Sequence, residues 1–137
     1  MSLYRWLVFT DGASRGNPGP ASIGAVIYDQ RGREAHVVSR RIGWATNNEA
    51  EYQAAIAGLE AALALGVREV ELRMDSQLVV RQLIGHYKVR NRRLQPLFAR
   101  LLELRRGFDV FDANSIPRAQ NRRADELANL ALDRGPD

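Results

Sequence analysis

The feature that most constrains this chain is a change of hydrophobic period at Asn47. Before it, short segments rich in β-branched and aromatic residues alternate with turn formers; after it, apolar residues recur at helical spacing. Tyr4 to Thr10 reads as a first strand that stops at Asp11, because Asp11 to Pro20 is turn chemistry throughout. Ala21 to Tyr28 reads as a second strand, Asp29 to Gly32 as a turn, and about Arg33 to Ile42 as a third strand. Three strands on short connections make an antiparallel meander. From Asn47 onward, Ala50, Ala54, Ile56, Ala57, Leu59, Ala61, Leu63 and Leu65 fall in one long helix, capped by Asn47 or Asn48 and ended by Gly66.

The remainder alternates strand and helix. Val67 to Met74 alternates as a strand, Asp75 or Ser76 caps a helix through Leu83, and Gly85 ends it. His86 to Arg93 is a basic connector, Leu94 to Arg106 a helix stopped by Gly107, and Asp109 to Ile116 the last strand. Pro117 to Asn121 is a loop, Arg122 to Leu132 the final helix, and Gly135 to Asp137 a frayed tail. The order β-β-β-α-β-α-α-β-α, with crossovers that set later strands parallel to the first, describes one mixed α/β domain over residues 1–137. Trp6, Phe9, Phe98 and Phe111 are expected in the core, and Trp44 either in the core or facing a groove.

Composition narrows the function classes. No apolar run approaches the roughly 20 residues of a membrane span. No export signal is evident at the start, and the absence of cysteine excludes disulfides and thiolate metal sites; a cytoplasmic protein is expected. The net charge of +4, with Lys88 the only lysine, permits nucleic-acid binding without demonstrating it.

Four carboxylates sit at element ends. Asp11 and Asp75 each follow a strand, so neighbouring parallel strands would project both toward one rim. Glu51 and Asp125 lie in the first turns of the long and last helices. Singly, each has a structural explanation as a turn former, cap or dipole partner.

The residues around them are distinctive. Thr10-Asp11-Gly12 with Gly16-Asn17-Pro18-Gly19, then Thr46-Asn47-Asn48-Glu49-Ala50-Glu51, Asp75-Ser76-Gln77, and Asn121-Arg122-Arg123-Ala124-Asp125-Glu126-Leu127-Ala128 occur in order across almost the whole chain. Together they resemble the signatures of type 1 ribonucleases H. The resemblance implies a ribonuclease H-like fold, with a five-stranded mixed sheet flanked by helices. It implies cleavage of the RNA strand of an RNA–DNA hybrid, leaving 3′-hydroxyl and 5′-phosphate ends, with possible further activity on double-stranded RNA. No obligate protein partner is evident, and a monomer is expected.

The resemblance also implies that Asp11, Glu51, Asp75 and Asp125 hold two Mg²⁺ ions, for which Mn²⁺ can substitute. Mg²⁺ is a hard ion that takes oxygen ligands, so carboxylates plus a substrate phosphate suit it. Asn17, Asn48 and Gln77 match positions that read the hybrid's minor groove, and Thr46 and Asn91 a pocket for a DNA phosphate. Two departures stand out. The basic protrusion of many members shrinks here to His86–Asn91, as in a compact branch, and the loop before the last helix lacks their histidine. Arg118 is its candidate replacement.

Exonuclease or integrase cores share strand-end carboxylates but lack the Gly16–Gly19 turn and the Asn47-Asn48 pair. A non-catalytic binding module is expected to have lost at least one of the four acids.

Overall fold

A five-stranded sheet in the order β3-β2-β1-β4-β5 organises the molecule, seen in a computed structural model that describes residues 5–134. Tyr4, at the start of the expected first strand, and the expected tail Gly135–Asp137 lie outside the described residues. The strands are β1 (Trp6–Ser14), β2 (Gly19–Tyr28), β3 (Glu34–Ala45), β4 (Glu69–Met74) and β5 (Val110–Ser115). The helices are α1 (Asn47–Ala64), α2 (Gln77–Leu83), α3 (Gln95–Arg105) and α4 (Arg122–Asp133), with a 3₁₀ turn at Arg118–Gln120. β1 pairs antiparallel with β2 and β2 with β3, whereas β4 is parallel to β1 and β5 to β4. The element order and mixed topology are those expected from the sequence.

Two expectations are corrected. β1 does not stop at Asp11: its parallel pairing with β4 ends at Thr10↔Met74, but its antiparallel pairing with β2 continues to Ser14↔Ala21. The small residues Gly12, Ala13 and Ser14 read as a turn in isolation, yet the β2 ladder and an overlying helix keep them extended. At the start of α1 the cap is Thr46, not Asn47 or Asn48. Thr46 Oγ1 accepts the Glu49 N–H (3.1 Å) and Glu49 Oε1 accepts the Thr46 N–H (2.9 Å), a reciprocal box. Glu49 is therefore the acid of the first turn, and Glu51 lies just past it.

Helices cover both faces of the sheet. Gly24 and Ala25 are neighbours on β2 and so face opposite sides. Ala25 lies beneath Gly58 of α1, and Gly24 beneath Ala124 and Ala128 of α4. β2 is accordingly buried along most of its length. The main core joins Val8, Ile27, Tyr52, Leu59, Leu72 and Leu101 on the α1 side. Trp6, Phe98 and Phe111 are only partly buried against this core, and Phe9 stands edge-on to Tyr28 beneath Arg73. Trp44 is exposed rather than in the core. Among the described residues no helix is long and apolar enough to cross a membrane.

The approach at Gly24 is backbone on backbone. A Cβ there would stand under 3.0 Å from the Ala124 carbonyl oxygen and the Ala128 nitrogen, neither of which can rotate away. Gly24→Ala is therefore expected to lower stability by about 1–3 kcal/mol. Urea unfolding checks this, and an unchanged midpoint would mean that α4 does not rest directly on β2.

Candidate active site

The four carboxylates meet at the carboxyl end of β1 and β4. Asp11 lies one residue past the last β1–β4 pair, and Asp75 one residue past the end of β4. Glu51 reaches them because α1 crosses β1 with no side chain between: a Cβ on Gly12 would overlap Ala50 and Glu51 backbone atoms. The Gly12 N–H donates to Glu51 Oε1. Oxygens of Asp11, Glu51 and Asp75 all lie within 4.8 Å of one another. Asp125 is outside that tight trio but acts on the Asp11 carboxyl, helping to raise it, and lines the same open cavity of about 600 Å³.

The electrostatics set these four apart. Arginine pairs with Asp29, Glu34, Glu49, Glu60, Glu71, Glu103, Asp109, Asp112, Glu126 and Asp133 within 4.0 Å, but among the described residues none pairs so with Asp11, Glu51, Asp75 or Asp125. Burial drives the Asp11 carboxyl far above the ordinary range, with the charges of Glu51 and Asp75 adding to the shift. Glu51 is also raised by burial, against the lowering effect of the Gly12 N–H. Asp75 is raised by burial, while the Arg118 charge opposes the shift. Such a donor set fits a hard divalent cation: it is all oxygen, crowded, partly dehydrated and short of positive charge.

Two asparagines missing from the expected set hold it in place. Asn121, fully buried, donates from Nδ2 to the Thr10 carbonyl (2.9 Å), favours the charged form of Asp75, and accepts the Asp125 N–H at its own backbone carbonyl (3.1 Å). Asn129 Nδ2 donates to the Asp125 carbonyl (3.0 Å) and to Asp125 Oδ1 (3.2 Å). The only sequence signal for Asn129 is its place one helical turn after Asp125. Asn121 lies inside a quoted motif, but nothing in its type marks it as buried.

Of the expected substrate-binding residues, only Gln77 lines the carboxylate cavity; Asn17, Thr46, Asn48 and Asn91 lie outside its lining. Asn17 Oδ1 accepts the Asn47 N–H (3.0 Å). The side chains of Asn48 and Gln77 are exposed and make no hydrogen bond among the described residues. Thr46 and Asn91 are linked through Glu49: its carboxylate closes the Thr46 cap and lies 3.4 Å from Arg93 Nε, while Asn91 Oδ1 accepts the Arg93 N–H (2.8 Å). Arg118 lines the cavity opposite, its charge acting on Glu51 and Asp75.

The raised Asp11 carboxyl has a consequence for stability. An acid whose folded pKa exceeds its unfolded value costs nothing below the unfolded value and destabilises progressively as pH rises toward the folded one. Metal-free protein is thus expected to lose stability from the ordinary carboxyl range, near 3.8 for Asp, up through neutrality. Asp11→Asn should raise stability at pH 7.5 by about 1–2 kcal/mol and leave it unchanged at pH 4. Thermal melts in chelator test this; equal effects at both pH values would contradict it.

Comparison with known proteins agrees with this architecture. The sequence profile described as reverse transcriptase-like matches residues 9–131. Ribonuclease HI of Halobacterium salinarum is 50% identical over 125 residues, covering 91% of this chain and 63% of that protein. The chain spans only 35% of the mycobacterial relatives it matches. The crystal structure of RNase H1 from Halobacterium salinarum superposes with a TM-score of 0.93 at 48% identity, covering 96% of this chain and 99% of that one. LC11-RNase H1, isolated from compost by a metagenomic approach and solved in complex with RNA/DNA hybrid, gives a TM-score of 0.90 at 44% identity over 95% of this chain and 98% of that one. With the profile spanning nearly the whole sheet and its helices, and the carboxylates standing where the motifs put them, the chain belongs to the reverse transcriptase-like family, among the type 1 ribonucleases H.

Proposed function

We propose that this chain, as one ribonuclease H domain, hydrolyses the RNA strand of RNA–DNA hybrids in the cytoplasm, acting as a monomer and leaving 3′-hydroxyl and 5′-phosphate ends. The observation that carries the reading is the cluster of Asp11, Glu51 and Asp75, left without arginine in a protein that pairs most of its other acids. Asp11, Glu51, Asp75 and Asp125 would hold two Mg²⁺ ions, which when bound supply positive charge to the scissile phosphate and activate water.

The protein's own part is positioning. The Gly12 N–H fixes one oxygen of Glu51 and Asn129 one oxygen of Asp125, while Asn121 ties the start of α4 to the end of β1 at Thr10. Fixed in this way, the acids need little rearrangement to meet a substrate. Asn17, Asn48 and Gln77 meet the minor groove: Asn48 and Gln77 can donate to and accept from 2′-hydroxyls, and Asn17, its oxygen held by the Asn47 N–H, offers its amide as a donor. Thr46 and Asn91 take a phosphate of the DNA strand, as the family resemblance implies. Arg118, cationic and exposed beside Glu51 and Asp75, takes the part of the absent loop histidine in releasing the cleaved phosphate. The relative solved with an RNA/DNA hybrid supports the choice of substrate.

Cleavage assays on matched hybrid, double-stranded RNA and single strands test the reading. The RNA strand of the hybrid should be cut only with Mg²⁺ or Mn²⁺ present; cutting in chelator, or of single strands alone, would overturn it. Asp75→Asn should reduce cleavage to background with the unfolding midpoint retained. Arg118→Ala should slow turnover on the order of tenfold while changing hybrid affinity less than about twofold, within the span of a single electrostatic contact; unchanged turnover removes Arg118 from the mechanism.

A further inference from the structure

Trp44 is 70% exposed, more than any other large apolar side chain among the described residues. Tryptophan is well buried on average, and an indole standing in water favours any surface that covers it. The backbone beneath it is firmly held. Ala45 is buried against Ala21 and Ala50, and its carbonyl accepts the Ser14 hydroxyl at 2.8 Å. Thr46 then begins the capped helix. Ala45 turns inward toward α1, so Trp44 projects from the opposite face of a well-held strand end.

Its position continues the candidate site. Trp44 pairs with Pro20, and the Pro20 carbonyl accepts the N–H of Arg15, which lines the carboxylate cavity. Two strand spacings across the sheet and four residues along it place Trp44 roughly 16 Å from Asp11. At roughly 3 Å of rise per base pair in an A-like hybrid, that is about five to six base pairs along the duplex. On the α4 side of β3, Arg41 stands three residues before Trp44, its guanidinium donating to the Leu132 carbonyl at 3.3 Å.

We propose that Trp44 is a contact for the nucleic-acid backbone outside the carboxylate centre, its indole packing against the sugars of a bound duplex several base pairs from the cut. This rests on the reading that the chain binds RNA–DNA hybrids. A flat apolar ring standing in water suits the apolar faces of a strand's sugars. It adds length-dependent grip in a chain whose connector between α2 and α3 is short.

The test uses the full chain in an Asp75→Asn background, so that a hybrid of about 16 base pairs, long enough to reach from the centre past Trp44, binds without being cut. Trp6→Phe leaves Trp44 as the sole indole. Hybrid should shift the emission to the blue and protect it from acrylamide. In the otherwise unaltered enzyme, Trp44→Ala should raise KM for the hybrid about five- to tenfold with kcat unchanged, and Trp44→Phe should restore most of the loss. Shortening the duplex on the Trp44 side to within about two base pairs of the cut should erase the difference between the parent enzyme and the Trp44→Ala variant. A KM within about twofold of the parent, or unprotected emission in a protein that does bind hybrid, overturns this inference alone. Protein that binds no hybrid removes the functional reading with it. Emission protected by self-association, lost together with a dimer in Trp44→Ala, assigns the surface to a second copy of the chain and also overturns the proposal.

Discussion

Two contacts of helix backbone on strand backbone hold the carboxylates together. Gly12 lets α1 lie directly on β1, bringing Glu51 to the amide that follows Asp11. Gly24 lets α4 lie directly on β2. Asp11 pairs with Gly24 across the β1–β2 ladder, and paired residues share a face. The helix resting on Gly24 therefore delivers Asp125, the neighbour of Ala124, beside Asp11. One register thus brings both helices to one strand end, and any residue larger than glycine would lift a carboxylate away with its helix.

Packing this close offsets an electrostatic liability. Elsewhere, arginines neutralise the acids: Glu71, itself buried, has Arg73 at 2.7 Å and the Asn114 amide at 3.2 Å. The site acids have asparagine amides and one backbone N–H instead. These neutral donors orient an oxygen without supplying the charge that would satisfy it. An arginine in their place would stabilise the metal-free fold and occupy the space a cation needs. The buried, unpaired arrangement is the kind of local cost that persists where a site requires it and the surrounding fold over-determines it.

Element order and topology were legible because the period changes sharply at Asn47 and glycines close the helices. The boundary at Asp11 was not. Asp-Gly followed by small residues is turn chemistry locally, and only the ladder to β2 makes Gly12–Ser14 extended. The α1 cap was misplaced for a related reason. Thr46, Asn47 and Asn48 are all acceptable caps, and the reciprocal bond from Glu49 decides among them. Residue type alone does not single out the four acids: Asp109 and Asp112 are aspartates beside and within β5, yet both are exposed and paired with arginine. Trp44 was open between core and groove because alternation cannot be read through Gly43, whose φ of 83° interrupts the strand's regular pleat.

The hydrogen bonds already made at the rim determine what remains to meet a substrate. Asn17 and Asn91 use their side-chain oxygens to accept backbone N–H groups, and Thr46 Oγ1 does the same for Glu49. With those acceptors engaged, the Asn17 and Asn91 amides and the Thr46 hydroxyl keep donors to offer, and phosphate and ribose oxygens are acceptors. Asn48 and Gln77, which make no such internal bond, retain both capacities and suit a 2′-hydroxyl that both donates and accepts. On the proposed reading, side chains fixed by local backbone bonds would position a duplex through its phosphates, and the unengaged amides would tell ribose from deoxyribose. The same local bonds that cap α1 and hold the Asn17 side chain against its start thus decide which hydrogen-bonding capacity each side chain has left.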